Sequence, residues 1–573
     1  MAFARVVPLR RTPPGVEAFD YRIPDSMSCT PGTCVLVPFR SSLIPAVVIE
    51  LLVTSPYAAR AKDIAGIYAD IVFPPSFVEL LRFISERTFS SLPLVLSSWL
   101  RTLPKRPGAF PSHIKTTTDA TIAARWSASP SRELIERAHE LVAQGRRILL
   151  LTPWQTRVDV YARAFPKAST LDGRTNDGDA FRAWASWQAS SSGLLIATRL
   201  GAWLSPLAEH VLLDEPENDD YKQDDMAPRY DARKMVFWAS QHAHTSVESF
   251  GTTPSLHLSI ETPVVPVDLT CIERRPKGGS PVPCIQSATL IALTEHEGPR
   301  VIIHAIRGVT SRLRCRECGF ESTCERCGFG LRAETTLARC PHCAWSTPVP
   351  DTCTRCGGVD LGKSMPGIER VRAAWEKQMP DCAVEWRDTR NESMDAPFPH
   401  GALVVVTDPS LLGGVSEDVR RRERLVIAWR RLAARVADAQ GSLLIQIPPQ
   451  VSDGPDIVSS YASWLTPEGY AVYRTQELAE RQAFHYPPTH RLVKCVVEGS
   501  EDRVRNWMSQ AQKTIHAEWR GPYPVEFRSR SRTPRCIVHA LFPPQTSEST
   551  LVHTLFSLKG TAWIDLDPIA FFH

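Results

Sequence analysis

The sequence predicts a multidomain α/β protein, and three observations carry that prediction. Apolar runs ending in polar residues (RRILLL, GLLIATR, HVLLDE and SVESFGTTPSL; later GPRVIIHAIR, GALVVVTD and GSLLIQIP) alternate with helical stretches in two separate regions. This is the pattern of parallel sheets flanked by helices, which place ligands at the carboxyl ends of their strands. The length, 573 residues, is several times that of a usual domain. Finally, eight of the fifteen cysteines are packed into one block as Cys-x-x-Cys pairs.

In chain order, residues 1–70 carry short β-type runs (TCVLVPF, IPAVVIELL) separated by Pro and Gly turns, which predict a small β-rich module. Residues 71–103 hold a helical segment, FVELLRFISERTF followed by LVLSSWLRTL, and 104–120 read as a linker. Residues 121–295 form the first α/β lobe, opening on the helical SRELIERAHELVAQG. Residues 296–484 form the second, with the cysteine block inside or beside it at 311–360. Residues 485–573 mix LVKCVVEG, a helical RVRNWMSQAQKTIHAEW and AWIDLDPIAFF, as expected of a small α+β domain. The net charge of +4 permits a nucleic-acid partner without demanding one. The start, MAFARVVPLRRTPPG, lacks a signal-peptide core, and no run reaches the roughly 18–20 apolar residues of a membrane span. No membrane and a cytoplasmic setting are therefore expected.

The block pairs Cys315 with Cys318, Cys324 with Cys327, Cys340 with Cys343 and Cys353 with Cys356. Two residues between thiolates let both sulfurs of a knuckle face one ion, and two knuckles close a tetrahedral site. Eight thiolates suit two structural Zn²⁺ ions; a redox dithiol and an iron–sulfur cluster are rival uses of the same spacing. His342, inside a knuckle, reads as filler.

The order of motifs around the block resembles the replication-restart DNA helicase family, primosomal protein N′ (PriA). FDYRIP with PGTCVLVPF is similar to its 3′-DNA-end-binding domain, IATRLGAWLSP to GTRSALFAP, VLLDEPENDDYKQDDMAPRYDAR to DEEHDxSYKQ…RYxAR, and FGTTPSL to GSATPSL. AERQAFHYPP and IDLDPIAF match as well. The resemblance implies that the lobes are RecA-like, that 71–103 is winged-helix-like and that 485–573 binds DNA. It implies that Phe19, Asp20 and Tyr21 help form a pocket for a terminal nucleotide, beside Arg40 where the family has glycine. It also implies an interleaved metal arrangement: Cys315, Cys318, Cys353 and Cys356 share one ion, Cys324, Cys327, Cys340 and Cys343 the other. The implied partners are forked or branched DNA, primosome proteins, single-stranded DNA-binding protein and the replicative helicase, with a nucleoid-associated location.

The resemblance also implies ATP and Mg²⁺, but the sequence departs from it where they bind. No G-x-x-x-x-G-K-[ST] loop occurs anywhere. Where the family has GVTGSGKTEVYL the chain has RWSASPSRELIE, placing Ser131 at the lysine, Arg132 at the threonine, and Arg125, Ala128 and Pro130 at glycines. Asp214 and Glu215 remain of the acidic pair, broken afterwards by Pro216 and Glu217. The family's QVAGRAGR aligns with RLAARVAD, so Arg435 remains but the arginine-finger position is Asp438, and GTQMIAKGHDF has become VTDPSLLGGVSED. The expected function is a replication-restart protein that binds branched or stalled forks and recruits primosome components without ATP-driven unwinding. The rivals are an active 3′-to-5′ helicase with an aberrant nucleotide site and a scaffold that has lost DNA binding too. Lys222, Arg229, Arg233, Arg528, Arg530 and Arg532 are candidate phosphate contacts, each weighed against a solvated surface charge. Trp154, Trp203 and Trp345 fit core packing better than base stacking.

Overall fold

The computed structural model describes residues 2–12, 16–100, 120–190, 193–254, 256, 263–273, 280–304, 311–315, 320, 322–325, 331–333, 337–340, 345–359, 361–363, 367–388, 396–409, 412, 419–447, 457–525, 534–556, 558 and 560–571.

The N-terminal module is a five-stranded antiparallel sheet, β1 to β5 (Ala2–Pro8, Phe19–Ile23, Thr33–Phe39, Ser42–Leu52, Gly66–Val72), in the order β2-β1-β4-β3-β5. Two helices follow, α1 (Pro75–Thr88) and α2 (Leu92–Trp99). Pro75 starts α1 where its missing N–H costs nothing, and Phe77, Leu80, Leu81 and Ile84 recur at i, i+3, i+4 and i+7 to give it one buried face. Trp99 at the end of α2 sits among Phe77, Trp184 and Trp203, with ring centroids 5.1, 5.6 and 6.1 Å away, so an aromatic cluster joins this segment to the first lobe.

The first lobe is a parallel sheet in the order β6-β11-β10-β7-β9-β8. Its elements are β6 (Ile122–Trp126), α3 (Pro130–Ala143), β7 (Arg147–Leu151), α4 (Gln155–Ala164), β8 (Ser169–Leu171), α5 (Asp177–Ala189), β9 (Gly193–Ala197), β10 (His210–Asp214), α6 (Ala232–Ala243) and β11 (Ser246–Gly251). Strands β7 and β11 are buried at every position, as a sheet covered on both faces requires. A 3-10 segment over Arg199–Leu207 lies so close to the sheet that a Cβ on Gly201 would stand 2.4 Å from that of Ala197. Strand β11 separates β6, which leads into α3, from β10, which ends at Asp214; that is the order expected of a RecA-like lobe.

The second lobe is parallel too, ordered β12-β21-β20-β13-β19. It comprises β12 (Asp268–Glu273), α7 (Ser287–Glu295), β13 (Arg300–Ile303), then five short strands β14 to β18 (Ser311–Cys315, Arg332–Ala333, Leu337–Arg339, Ser346–Pro348, Leu361–Lys363), α8 (Ile368–Gln378), β19 (Glu385–Arg387), β20 (Leu403–Val406), α9 (Arg421–Asp438), β21 (Ser442–Ile447), α10 (Ile457–Ser463) and α11 (Pro467–Ala483). The cysteine module, β14 to β18, is thus inserted between β13 and α8. One expectation is corrected: β12 and α7, assigned to the first lobe by the boundary at 295, belong to the second, because β12 pairs with β21 over six residues and α7 packs its Leu293 against Ile302, Val405 and Leu444.

The C-terminal domain is an antiparallel sheet, β22 to β25 (Arg491–Glu498, Glu518–Val525, Arg535–Phe542, Thr561–Leu566), in the order β23-β24-β22-β25. Two helices, α12 (Glu501–Thr514) and α13 (Glu548–Phe556), complete it. Residues 565–571 knit the molecule together. Lys222 of the first lobe bonds Asp565 at 2.6 Å and the Leu566 carbonyl at 2.9 Å, Arg87 of α1 bonds Asp567 at 2.7 Å, and Arg424 of α9 donates to the Ile569 carbonyl.

Candidate nucleotide cleft and metal centre

The carboxyl ends of β6, β7, β10 and β11 face α9 across the inter-lobe cleft. Asp214, fully buried at the end of β10, is gripped by the Arg157 guanidinium: Nε to Oδ2 at 2.6 Å and Nη2 to Oδ1 at 2.8 Å. Thr152 Oγ1 donates to Oδ2 at 2.9 Å. Arg157 Nη2 also reaches Ser131 Oγ, the lysine position of the family loop, and the Tyr161 hydroxyl, both at 2.8 Å. One guanidinium therefore bridges Asp214 and Ser131, the residues that the resemblance aligns with a motor's Mg²⁺ site and phosphate-binding lysine. A forked, permanently charged donor matches a carboxylate on both oxygens and leaves it little capacity for a metal.

Glu215, the next residue, adopts a left-handed backbone (φ 48°) and points at the second lobe. Arg435 Nη2 meets its Oε1 at 2.7 Å and Arg431 Nε its Oε2 at 3.2 Å, while both guanidinium groups lie over the Trp154 ring at 5.8 and 5.1 Å. Burial alone would raise this carboxyl, but Arg431, Arg435 and Arg157 outweigh it and hold it at about 2. Arg420 and Arg424 take Asp219 at 3.1 and 2.9 Å, and at the cleft rim Asp438 accepts a hydrogen bond from Ser129 Oγ, just ahead of α3. Asp438, at the position of the finger, thus brings a negative charge to a helix N-terminus, the end that favours anions.

Glu217 is the exception in this charge-matched cleft. It is 8 % exposed, and neither carboxylate oxygen has a hydrogen-bond partner among the described residues. Burial and the neighbouring Glu215 push it up to about 8, against a smaller pull from Arg431. A carboxyl whose folded pKa lies above its ordinary 4.5 binds a proton the unfolded chain has already released, so stability falls as pH rises from about 4.5 to about 8. Glu217→Gln should remove that slope and stabilise the chain at pH 8.5 by roughly 1–3 kcal/mol, with little change at pH 5. Urea unfolding at the two pH values checks this. Glu215 has the opposite sign, its contribution being lost only as pH falls from its ordinary 4.5 towards about 2, outside that window.

In the N-terminal module, Phe19, Asp20 and Tyr21 lie on β2. Arg5 Nε bonds Asp20 at 3.0 Å, Ser55 Oγ bonds it at 2.7 Å, and the Tyr21 hydroxyl donates to the Pro38 carbonyl at 2.9 Å. Phe19 packs edge-on against Phe39 (5.4 Å), and Arg40 takes the left-handed turn (φ 52°) that the family gives to glycine.

The cysteine module brings Cys315, Cys353 and Cys356 together, their sulfurs all within 4.8 Å of one another and those of Cys315 and Cys356 3.6 Å apart. The same turn recurs at three knuckles: the N–H of Cys315, Cys340 and Cys353 donates to the carbonyl five residues on, Phe320, Trp345 and Gly358. The amides of Arg355 and Gly358 point at the sulfurs of Cys353 and Cys356, both at 3.4 Å. Amides aimed at sulfur stabilise thiolate, so this donor set fits a soft divalent metal. Cys324 and Cys340 are buried in the module's core; Cys318, Cys327, Cys343 and His342 lie outside the described residues.

The expected phosphate contacts divide. Arg528, Arg530 and Arg532 lie outside the described residues. Lys222, 4 % exposed, holds the C-terminal domain, Arg229 lies over the Trp563 ring at 4.6 Å, and Arg233 forks onto Asp231 at 2.9 and 2.8 Å while donating to the Pro216 and Asn218 carbonyls. This corrects the reading of these three as a phosphate-facing set: their donors and charge serve the fold of the first lobe and its junction with the C-terminal domain. Trp154 and Trp203 are buried, as expected, and Trp345 packs on the module core. Sequence reasoning missed Arg157, Arg420, Arg424 and Arg431; the linear sign for Arg424 and Arg431 was the density of arginine in RRERLVIAWRRLAARVAD, and Arg157 carried none.

Residues 7–101 match the family model described as the PriA 3′DNA-binding domain (3′BD). The chain is 23% identical over 444 residues to "Replication restart protein PriA" of Treponema pallidum (strain Nichols), covering 68% of this chain and 65% of that one. Against the protein of the same name from Bacillus subtilis (strain 168) it is 20% identical over 439 residues, covering 67% and 53%. Against that of Rickettsia felis (strain ATCC VR-1525 / URRWXCal2) it is 21% identical over 577 aligned positions, covering 84% and 85%. The chain thus spans less than two thirds of the first two relatives. Among solved structures, the crystal structure of a hypothetical ATP-dependent RNA helicase from Sulfolobus tokodaii aligns with 58% of this chain and 88% of that one, at 11% identity and a TM-score of 0.20. No helix among the described residues is long and apolar enough to cross a membrane.

Proposed function

We infer that this relative of the PriA replication restart proteins is a non-hydrolysing member of its kind: it binds branched or stalled-fork DNA and recruits components of the restart machinery without unwinding DNA by ATP. The observation that carries the reading is the Arg157 grip on Asp214 and Ser131, which puts a fixed cation where metal and triphosphate would have to enter. The DNA arm rests on the match of residues 7–101 to the 3′DNA-binding domain and on β2, where Phe19 packs against Phe39, the residue before Arg40. Arg528, Arg530 and Arg532 are proposed as phosphate contacts that add affinity without reading sequence. Two Zn²⁺ ions are proposed for the cysteine module, Cys315, Cys318, Cys353 and Cys356 on one and Cys324, Cys327, Cys340 and Cys343 on the other. The proximity of Cys315 to Cys353 and Cys356 supports the first set. Closed four-thiolate sites have no open position for substrate, so the module would serve as a rigid platform.

The expected result is a shift of a forked duplex with a free 3′ end at low salt, weakened as salt rises, with no phosphate release above background from ATP·Mg²⁺ in the presence of that fork. DNA-stimulated phosphate release that disappears in Asp214→Asn would establish an active motor instead. Failure to shift the fork would leave a scaffold without a DNA arm.

A further inference from the structure

The residues that would open and close a motor on its nucleotide are here bonded to each other, and the bonds cross the cleft. From the second lobe, Arg431 and Arg435 reach Glu215, and Arg420 and Arg424 reach Asp219. In the reverse direction of charge, Asp438 meets Ser129 at the start of α3. Arg430 donates to the Pro263 carbonyl at 2.8 Å in the segment connecting the lobes, and the Tyr470 hydroxyl of α11 to the Pro254 carbonyl of the first lobe at 2.8 Å. We propose that this arginine-to-carboxylate network is a permanent latch that fixes the angle between the two lobes and substitutes for nucleotide in closing the cleft.

Three features separate a latch from ordinary surface pairing. First, Glu215 is 2 % exposed with three guanidinium groups on it, two of them from the second lobe, and desolvated pairs of this kind are lost only at large cost, whereas exposed pairs contribute little. Second, the cations are arginines already placed by stacking on Trp154, so little side-chain freedom is lost on pairing. Third, the charge pattern is inverted relative to nucleotide binding: an anion of the second lobe, Asp438, stands before α3, and a cation of the first, Arg157, lies on Asp214. A ligand can shift a two-state equilibrium only by its differential affinity, and ATP·Mg²⁺ entering this cleft would have to break both sets of bonds. The inference rests on this geometry and not on the DNA-binding reading.

The test uses the full chain in small-angle X-ray scattering and amide hydrogen exchange, with and without ATPγS·Mg²⁺. The wild type should give superimposable scattering curves and unchanged exchange in residues 210–218. Arg431→Gln/Arg435→Gln should enlarge the radius of gyration and speed exchange in 210–218 and 421–438 by about tenfold, with far-UV circular dichroism unchanged. A nucleotide-induced change in the wild type would overturn the latch, as would a folded double variant that scatters and exchanges like wild type. Should the double variant fail to fold, Asp219→Asn, which releases Arg420 and Arg424 at the cleft edge, carries the same two outcomes. Fork binding on the same samples separates the two proposals: a nucleotide-silent wild type that ignores forks keeps the latch and removes the DNA platform.

Discussion

Arg157→Ala is expected to destabilise the chain by about 3–5 kcal/mol, because it leaves the fully buried Asp214 without the guanidinium that holds both of its oxygens. The measurement is the urea midpoint of the first-lobe transition. Arg157→Lys should recover a small part: an ammonium is a point donor and cannot hold both Asp214 oxygens while also reaching Ser131 and Tyr161. The sharper check is a double-mutant cycle. Arg157→Met combined with Asp214→Leu removes both charges and should cost less than Arg157→Ala alone, since the dominant penalty is the orphaned charge and not the lost pair. A cycle in which the two costs simply add would mean that the pair is not energetically coupled, and the argument against metal at Asp214 would lose its basis.

The second large effect is expected at the cysteine module. Cys353→Ser should reduce bound zinc from two ions per chain to one, read by mass spectrometry of the native protein, and should leave both lobes folded because the module is a separate insertion between β13 and α8. Its described core is small, with Leu313, Cys324, Leu331, Ala338 and Cys340 buried, too little to hold five short strands unaided. Structural zinc contributes on the order of 10 kcal/mol or more in comparable small domains. Chelation of both ions should therefore make residues 311–363 susceptible to protease while α8 and β20 stay protected. Retention of both ions in Cys353→Ser would disprove the grouping of Cys353 with Cys315 and Cys356.

What the sequence made legible follows from how local each feature is. A metal knuckle is specified within four residues, so the cysteine pairs announce themselves, and the acidic pair at the end of an apolar strand does the same. The departure from the family's loop pattern is local too: Pro130 and Ser131 stand where the resemblance aligns a glycine and a lysine. Arg157 was illegible because its partner lies 57 residues away and is brought to it only by sheet order, with β7 beside β10. Lys222 was misread because a basic residue in a family motif looks like a phosphate contact, while the acid it serves, Asp565, is 343 residues distant. β12 was assigned to the wrong lobe because an edge strand reads alike whichever sheet it joins, and its partner β21 comes far later in the chain.

The knot at residues 565–571 sets an order of events during synthesis. Both lobes and the cysteine module emerge from the ribosome before Asp565, Leu566, Asp567 and Ile569 exist to receive Lys222, Arg87 and Arg424. Nascent chains arrested before this stretch should therefore carry lobes whose basic groups await their acceptors, and these bonds cannot form before residues 565–571 have emerged.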